Sequence, residues 1–196
     1  MNKDERIQYL KKLGGETAIL RKSVIDNLGE DILDVAALMS GVLGSGGKVL
    51  IAGNGGSAAD ASHFAGEMIV RLTSARTRQS LPAIALCVDP AVMTAAANDF
   101  GYDRIFSRQV EGLGQKGDLL FVISTSGNST NLMTAVHTAR EKKVLTVGLL
   151  GGKGGKLARN LDRTLIVPHI STQRIQEEHI FIIHMLVEFL ESDLSG

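Results

Sequence analysis

His63 and Glu67 stand four residues apart in the stretch GNGGSAADASHFAGE, residues 53–67. On a helix that spacing puts both on one face. An imidazole beside a carboxylate suits a divalent transition metal, zinc among them, or a proton-transfer pair. The spacing also arises on ordinary solvated faces. The same stretch opens with Gly53, Gly55 and Gly56 and reaches Ser57. Glycines let a backbone come close to a ligand, and a helix starting there offers free N–H groups and the positive end of its dipole. The plainer use of such a stretch is a tight strand-to-helix turn. Gly53, Gly55 and Ala58 also satisfy the loose dinucleotide pattern G-x-G-x-x-G/A, with Asp89 as a ribose acid over 30 residues on rather than about 20.

A second stretch, STSGNST, places Ser124, Thr125, Ser126 and Ser129 within six residues. Hydroxyls and backbone N–H groups together satisfy the oxygens of a phosphate without many arginines. A serine-rich turn with a helix cap is the bland reading. A dinucleotide fold does not need this second loop, whereas a sugar phosphate needs one loop for the phosphate and another for the sugar. A third stretch, QRIQEEHIFIIH, offers Gln176, Glu177, Glu178, His179 and His184. Gln176 and His184 would lie about 12 Å apart along a helix and ~80° apart around it. Both reach one ion only if it sits between them, and spacing leaves open which of the five converge. Read alone, His179 is an amphipathic-face histidine near an interface. His137 reads as part of a solvated face, and His169 as lying just past a strand end. LLGGKGGKL, residues 149–157, fails as a Walker loop, because Leu150 stands where glycine is needed and Leu157 where Ser or Thr must follow the lysine.

These groups need a frame. The apolar runs KVLIAG (48–53), LPAIALC (81–87), DLLFVIS (118–124), VLTVGLL (144–150) and TLIVP (164–168) suit parallel strands buried on both faces. Helical patterns lie between most of them, over about 57–72, 91–97, 103–113, 129–142 and 155–160, with a long amphipathic one over about 172–193. Two more, over about 4–27 and 30–43, precede the first strand. Strands alternating with helices predict an α/β fold, a three-layer α/β/α sandwich on a five-stranded, mostly parallel sheet with extra N-terminal helices. One domain is expected over 1–196, its α/β core over about 46–196. In such sheets ligands bind beyond the carboxyl ends of the strands, where the first two stretches begin.

The chain has 196 residues, enough for a sizeable core, and its 21 Lys and Arg balance its 21 Asp and Glu. That balance supplies no global drive toward nucleic acid or an anionic membrane, and neither partner is expected. No apolar run approaches the roughly 20 residues of a membrane helix. Cys87 is the sole cysteine, so no intrachain disulfide forms. It follows an apolar run and reads as core filler, not as a nucleophile. A charged start without an apolar signal segment and this cysteine usage predict a cytoplasmic protein.

The stretches GNGGSAADASHFAGE, NDFGYDRIFSRQVEGLGQKGD, ISTSGNS and RIQEEHIFIIH together resemble the phosphoheptose isomerases, a branch of the sugar isomerase (SIS) domain superfamily. The resemblance runs in order over about residues 45–190. It implies the SIS fold and conversion of sedoheptulose 7-phosphate to D-glycero-D-manno-heptose 7-phosphate, which begins heptose supply for lipopolysaccharide or related glycans. It implies cytoplasmic homotetramers with sites at subunit contacts and one zinc ion per subunit. The family's zinc ligands match His63, Glu67, Gln176 and His184. Its phosphate loop matches Ser124, Thr125, Ser126 and Ser129. Its sugar-binding positions match Asn54, Gly55, Gly56, Asn98 and Asp99 beside Ser57, and Arg71 matches a position near the substrate. Gln173 stands where some members carry an Asp, so any role of that Asp is lost here.

The chemistry implied is an aldose–ketose isomerisation through an enediol. It needs a base for the C–H proton, an acid for the carbonyl oxygen and stabilisation of enediolate charge. Glu67 and His184 are assigned jointly, Glu67 favoured as base. The alternative is a non-catalytic SIS-domain protein that binds a replication initiator or another protein. The presence of all four ligand positions favours the enzyme. A sugar-phosphate-sensing regulator would need a DNA-binding domain for which 196 residues leave no room.

Overall fold

A computed structural model describes residues 1–74 and 76–194. Five strands form one sheet: β1 (Val49–Gly53), β2 (Ala83–Ala85), β3 (Leu119–Ser124), β4 (Leu145–Gly151) and β5 (Arg163–Val167), in the order β2-β1-β3-β4-β5. Every pairing is parallel, so the expected mostly parallel sheet is wholly so. β1 and β3 are buried along their whole length, as continuous apolar runs require when both faces are covered. Alternate residues serve opposite layers. Val49, Ile51, Phe121 and Ile123 join one core with α1 (Lys3–Gly44), α2 (Gly56–Ile69) and α6 (Thr172–Asp193). Leu50, Ala52, Leu120 and Val122 join the other with α3 (Pro90–Phe100), α4 (Ile105–Leu113) and α5 (Thr130–Glu141). The three-layer sandwich stands as expected.

The N-terminal region differs. One 42-residue helix replaces the two expected. Gly29 costs a helix interior about 1 kcal/mol, but no proline breaks the chain there. Leu28 packs against the core and Ile32 is buried in it, so packing outweighs propensity. A capping box starts the helix: Asn2 Oδ1 accepts from Glu5 N–H at 3.0 Å and Glu5 Oε2 from Asn2 N–H at 2.7 Å. Burial begins only at Leu20, while Ile7, Leu10 and Ile19 stand exposed. α1 docks on α6 through Arg21, whose Nε donates to the buried Glu178 at 2.6 Å and whose guanidinium lies 3.7 Å over the Phe181 ring.

Smaller departures follow local chemistry. The helix expected over 155–160 is a 3₁₀ turn, Leu157–Asn160, and the one over 103–113 begins as a 3₁₀ turn, Tyr102–Arg104, before α4. β2 keeps only Ala83–Ala85 of the expected 81–87. α2 ends at Ile69, so Arg71 lies beyond the helix that was expected to carry it.

Candidate active site

The strand order reverses between β1 and β3, and the crevice outside the carboxyl ends at such a reversal is where open α/β sheets bind ligands. The loops after β1 and β3 flank it, and side chains tie them together. Asn54 and Asn131 exchange two amide hydrogen bonds, Asn54 Nδ2 to Asn131 Oδ1 at 3.0 Å and Asn131 Nδ2 to Asn54 Oδ1 at 2.9 Å. Tyr102 O–H donates to the same Asn54 oxygen at 3.0 Å. Asn54 thus braces the site. Asn131, buried in the first turn of α5, and Tyr102 escaped the sequence reading. Asn131 directly follows the serine-rich loop, which is the one signal that pointed to it.

In the second loop, Ser124 Oγ accepts from Gly127 N–H at 3.1 Å and Ser126 Oγ from Asn128 N–H at 3.2 Å. Gly127 has φ of 64° and lies so close to the Gly154 carbonyl that no side chain fits there. Ser129 precedes α5 with extended backbone, and its hydroxyl makes no cap hydrogen bond. The loop leads directly into α5, and a helix N-terminus offers free N–H groups of the kind that suit an anion.

α2 and α6 pack side by side on one face of the sheet. Gln176 lies over Gly56, where any β-carbon would meet its side-chain amide. Farther along, His63 Nε2 and His184 Nε2 stand 2.8 Å apart, one ring donating and the other accepting, edge to face at 67°. Glu67 Oε1 lies 3.7 Å from His63 Nε2. Glu67 Oε2 is buried without a hydrogen-bond partner among the described residues, a costly state for a carboxylate oxygen. Asp60, which the sequence reading passed over, lies one turn before His63. Burial raises its carboxyl to about 6, against the lowering effect of His63 charge.

The other polar groups of α6 turn away. Glu177 pairs with Arg174, and Glu178 pairs with Arg21. His179 is wholly buried, not at an amphipathic face as expected; its Nε2 bonds the Leu150 carbonyl at 3.1 Å. A strand carbonyl and the surrounding core claim it. Gln173 is exposed, its Oε1 accepting from Ser171 O–H at 2.8 Å. His137 is solvated and pairs with Glu141, and His169 lies just past β5. Cys87 donates its thiol to the Ala58 carbonyl at 3.2 Å, and burial raises its pKa, so it packs as filler.

Asn98 and Asp99 fall in the last turn of α3 and bond each other at 2.8 Å, both exposed. No hydrogen bond among the described residues joins them or Arg71 to the His63–His184 pair. Asp89 caps α3, accepting from Ala91 and Val92 N–H at 2.9 and 3.1 Å. That role occupies the carboxylate the dinucleotide reading would have used.

An α/β/α sandwich with glycine- and serine-rich loops at its strand-order reversal defines the sugar isomerase class, and the SIS domain family model matches residues 14–151. The phosphoheptose isomerase of Helicobacter hepaticus is 53% identical over 151 residues, 77% of this chain and 76% of that protein. The structure of phosphoheptose isomerase GmhA from Neisseria gonorrhoeae superposes with a TM-score of 0.88 at 41% identity, covering 94% of this chain and 98% of that one. That of Francisella tularensis gives 0.91 at 34% identity, covering 95% and 98%. The chain belongs to the phosphoheptose isomerase family of SIS-domain proteins, a family of aldose–ketose isomerases.

Proposed function

We infer that this chain interconverts sedoheptulose 7-phosphate and D-glycero-D-manno-heptose 7-phosphate by enediol-type proton transfer, as the first step of heptose supply for lipopolysaccharide or related glycans. The observation that carries this is the meeting of His63 and His184 across α2 and α6, with a buried carboxylate oxygen of Glu67 left unsatisfied beside them. A non-catalytic binding protein has no use for that arrangement.

The donor set fits zinc. Two imidazoles, a carboxylate and the Gln176 amide oxygen are borderline ligands of the types zinc takes. Among the described residues no three His, Cys, Asp or Glu groups are already gathered as a metal cluster; Gln176 is assigned as the fourth donor beside His63, Glu67 and His184. When bound, a divalent ion supplies Lewis-acid polarisation of the substrate carbonyl. The remaining work belongs to the chain. Ser124, Thr125, Ser126 and Ser129 with the α5 N-terminus hold the phosphate. Asn54, held by Asn131 and Tyr102, fixes the sugar end with Gly55, Gly56 and Ser57, and Asn98, Asp99 and Arg71 are assigned to the same substrate on the family resemblance. Glu67 takes the proton from the carbon beside the carbonyl and returns it to the neighbouring carbon. His184 protonates the carbonyl oxygen as the enediol forms, and takes back a proton from the neighbouring hydroxyl as the new carbonyl forms.

The chain acts in the cytoplasm as a homotetramer with one zinc per subunit. No helix among the described residues is long and apolar enough to cross a membrane. Supporting assembly, Ile7, Tyr9, Leu10, Ile19, Ile25 and Leu33 lie exposed along α1, more apolar surface than a lone helix leaves to water. A groove of about 720 Å³ between α1 and α6 continues that surface with Phe181, Met185 and Phe189. Light scattering reads the assembly directly.

Purified protein incubated with sedoheptulose 7-phosphate tests the reaction. Aldose should form, cease after chelation and return with zinc. Folded, metal-loaded protein without turnover on this substrate overturns the assignment.

A further inference from the structure

α2 and α6 meet at three levels. Gln176 covers Gly56, His184 meets His63, and Glu191 accepts from the Leu72 N–H at 2.9 Å. The helices therefore run parallel, with Glu191 two turns beyond His184 on the same face of α6. The third level carries no chemistry of the proposed reaction, yet it holds the most completely buried ion pair in the described structure. Arg78 Nε lies 3.0 Å from Glu191 Oε1, and both side chains are 1% exposed.

Arg78 does more than neutralise Glu191. Its Nη2 donates to the Glu67 carbonyl at 2.7 Å, and its Nη1 donates to the Met68 carbonyl at 2.8 Å and the Gln79 carbonyl at 2.9 Å. The chain leaves the helix at Val70, so the carbonyls of Glu67 and Met68 have no N–H one turn on. α2 also has no basic residue of its own in its last turn, where a cation complements the helix dipole. Arg78 supplies the cation and a donor to each carbonyl, that of Met68 being shared with the Leu81 N–H at 3.1 Å, using the planar fork that only arginine has.

We propose that Arg78 and Glu191 form a positioning clamp. It fixes the last turn of α2, and with it Glu67, at a set distance from the α6 face that carries His184. One guanidinium joins the Glu67 backbone to α6, so the spacing across which Glu67 and His184 must cooperate is set by a contact that touches neither substrate nor reacting atoms. The kinetic part of this inference rests on the isomerase reading above; the geometric part does not.

The test is Arg78→Lys, which keeps a positive charge but loses the fork. Its kcat should fall on the order of 100-fold, with KM changing less than about threefold, because a shift of about 1 Å at a catalytic group costs that much. In crystals of the variant, the Glu67 carboxylate should move relative to His184 when compared with wild-type crystals. A core variant in α1, Val24→Ala, chosen to match any loss of melting temperature, should keep its kcat. An unmoved Glu67, an unchanged kcat in active enzyme, or an equal kcat loss in Val24→Ala overturns the clamp. If Arg78→Lys fails to fold, hydrogen exchange on the wild-type protein decides. The Leu72 amide should be protected by more than about 10³, and exchange at the free-peptide rate overturns the clamp. A wild type inactive on sedoheptulose 7-phosphate overturns the isomerase reading, while the crystals and exchange still judge the clamp.

Discussion

Two stretches of one helix seam, about two turns apart, are built on opposite principles. At Arg78 and Glu191 a buried ion pair and the helix carbonyls around it exchange hydrogen bonds. At His63, Glu67 and His184 the groups are partly open and one carboxylate oxygen goes unpaired. Burying charge is tolerable only when partners and geometry are complete, so the first stretch can hold position. Leaving polar groups short of partners costs stability, so the second is retained where a ligand or substrate completes it. The rigid stretch holds the unsatisfied one in place.

The largest effect should come from the unsatisfied stretch. Glu67→Gln and His184→Asn should each lower kcat by about 10³-fold or more, within the range of lost general acid–base catalysis. Measured on metal-free protein, the melting temperature of Glu67→Gln should hold or rise, because it removes a buried carboxylate oxygen that has no partner among the described residues, and that of His184→Asn should change little. Steady-state kinetics beside calorimetry reads both, and parallel losses of stability and activity would break the contrast.

The satisfied stretch should behave the other way. Glu191→Leu strands the Arg78 guanidinium in the core and should cost roughly 3–5 kcal/mol in denaturant unfolding. Adding Arg78→Met should recover part of that loss, since the double variant strands neither charge.

His179 sharpens the contrast with its neighbour His184 on the same helix. Burial holds its imidazole down to about 4, against the hydrogen bond to the Leu150 carbonyl, which raises it. Below about 6.5 the unfolded chain binds a proton there that the folded chain refuses. Stability should therefore fall as pH drops from about 6.5 to about 4 and level off below, by roughly 3 kcal/mol in all. His179→Gln should flatten that part of the profile, and an unchanged slope would argue against the buried neutral ring.

The smallest effect is expected at Asn131. Asn131→Ala removes the amide exchange that braces Asn54 and should cost about 1–2 kcal/mol of stability. KM should rise several-fold, with kcat changing less, because substrate loses a prepositioned partner.

Much of this was legible in the chain. Period and run length marked the five strands and the helices between them, because continuous burial on two faces forces a composition that reads plainly, and glycine and serine content marked the loops after β1 and β3. His63 and Glu67 were readable from their i, i+4 spacing, a local property. α1 was less legible: Asn27-Leu28-Gly29 looks like a boundary, and only the packing of Leu28 and Ile32 carries the helix across it. Asn131 was legible only through its place directly after the serine-rich loop, and Tyr102 not at all, since each acts on Asn54 from 77 and 48 residues away.

The α6 stretch QRIQEEHIFIIH shows where the division lies. By itself the sequence determined that a polar, ligand-capable helix would close the fold, because hydrophobic period and residue type are local. Which of its side chains face His63, and which go to Arg21 or the Leu150 carbonyl, was decided only by the tertiary structure. The outcome depends on how α6 is rotated against α1, α2 and the sheet at once. The same holds for Arg78, one of several arginines in a loop, whose role follows from where Glu191 and the end of α2 meet in space.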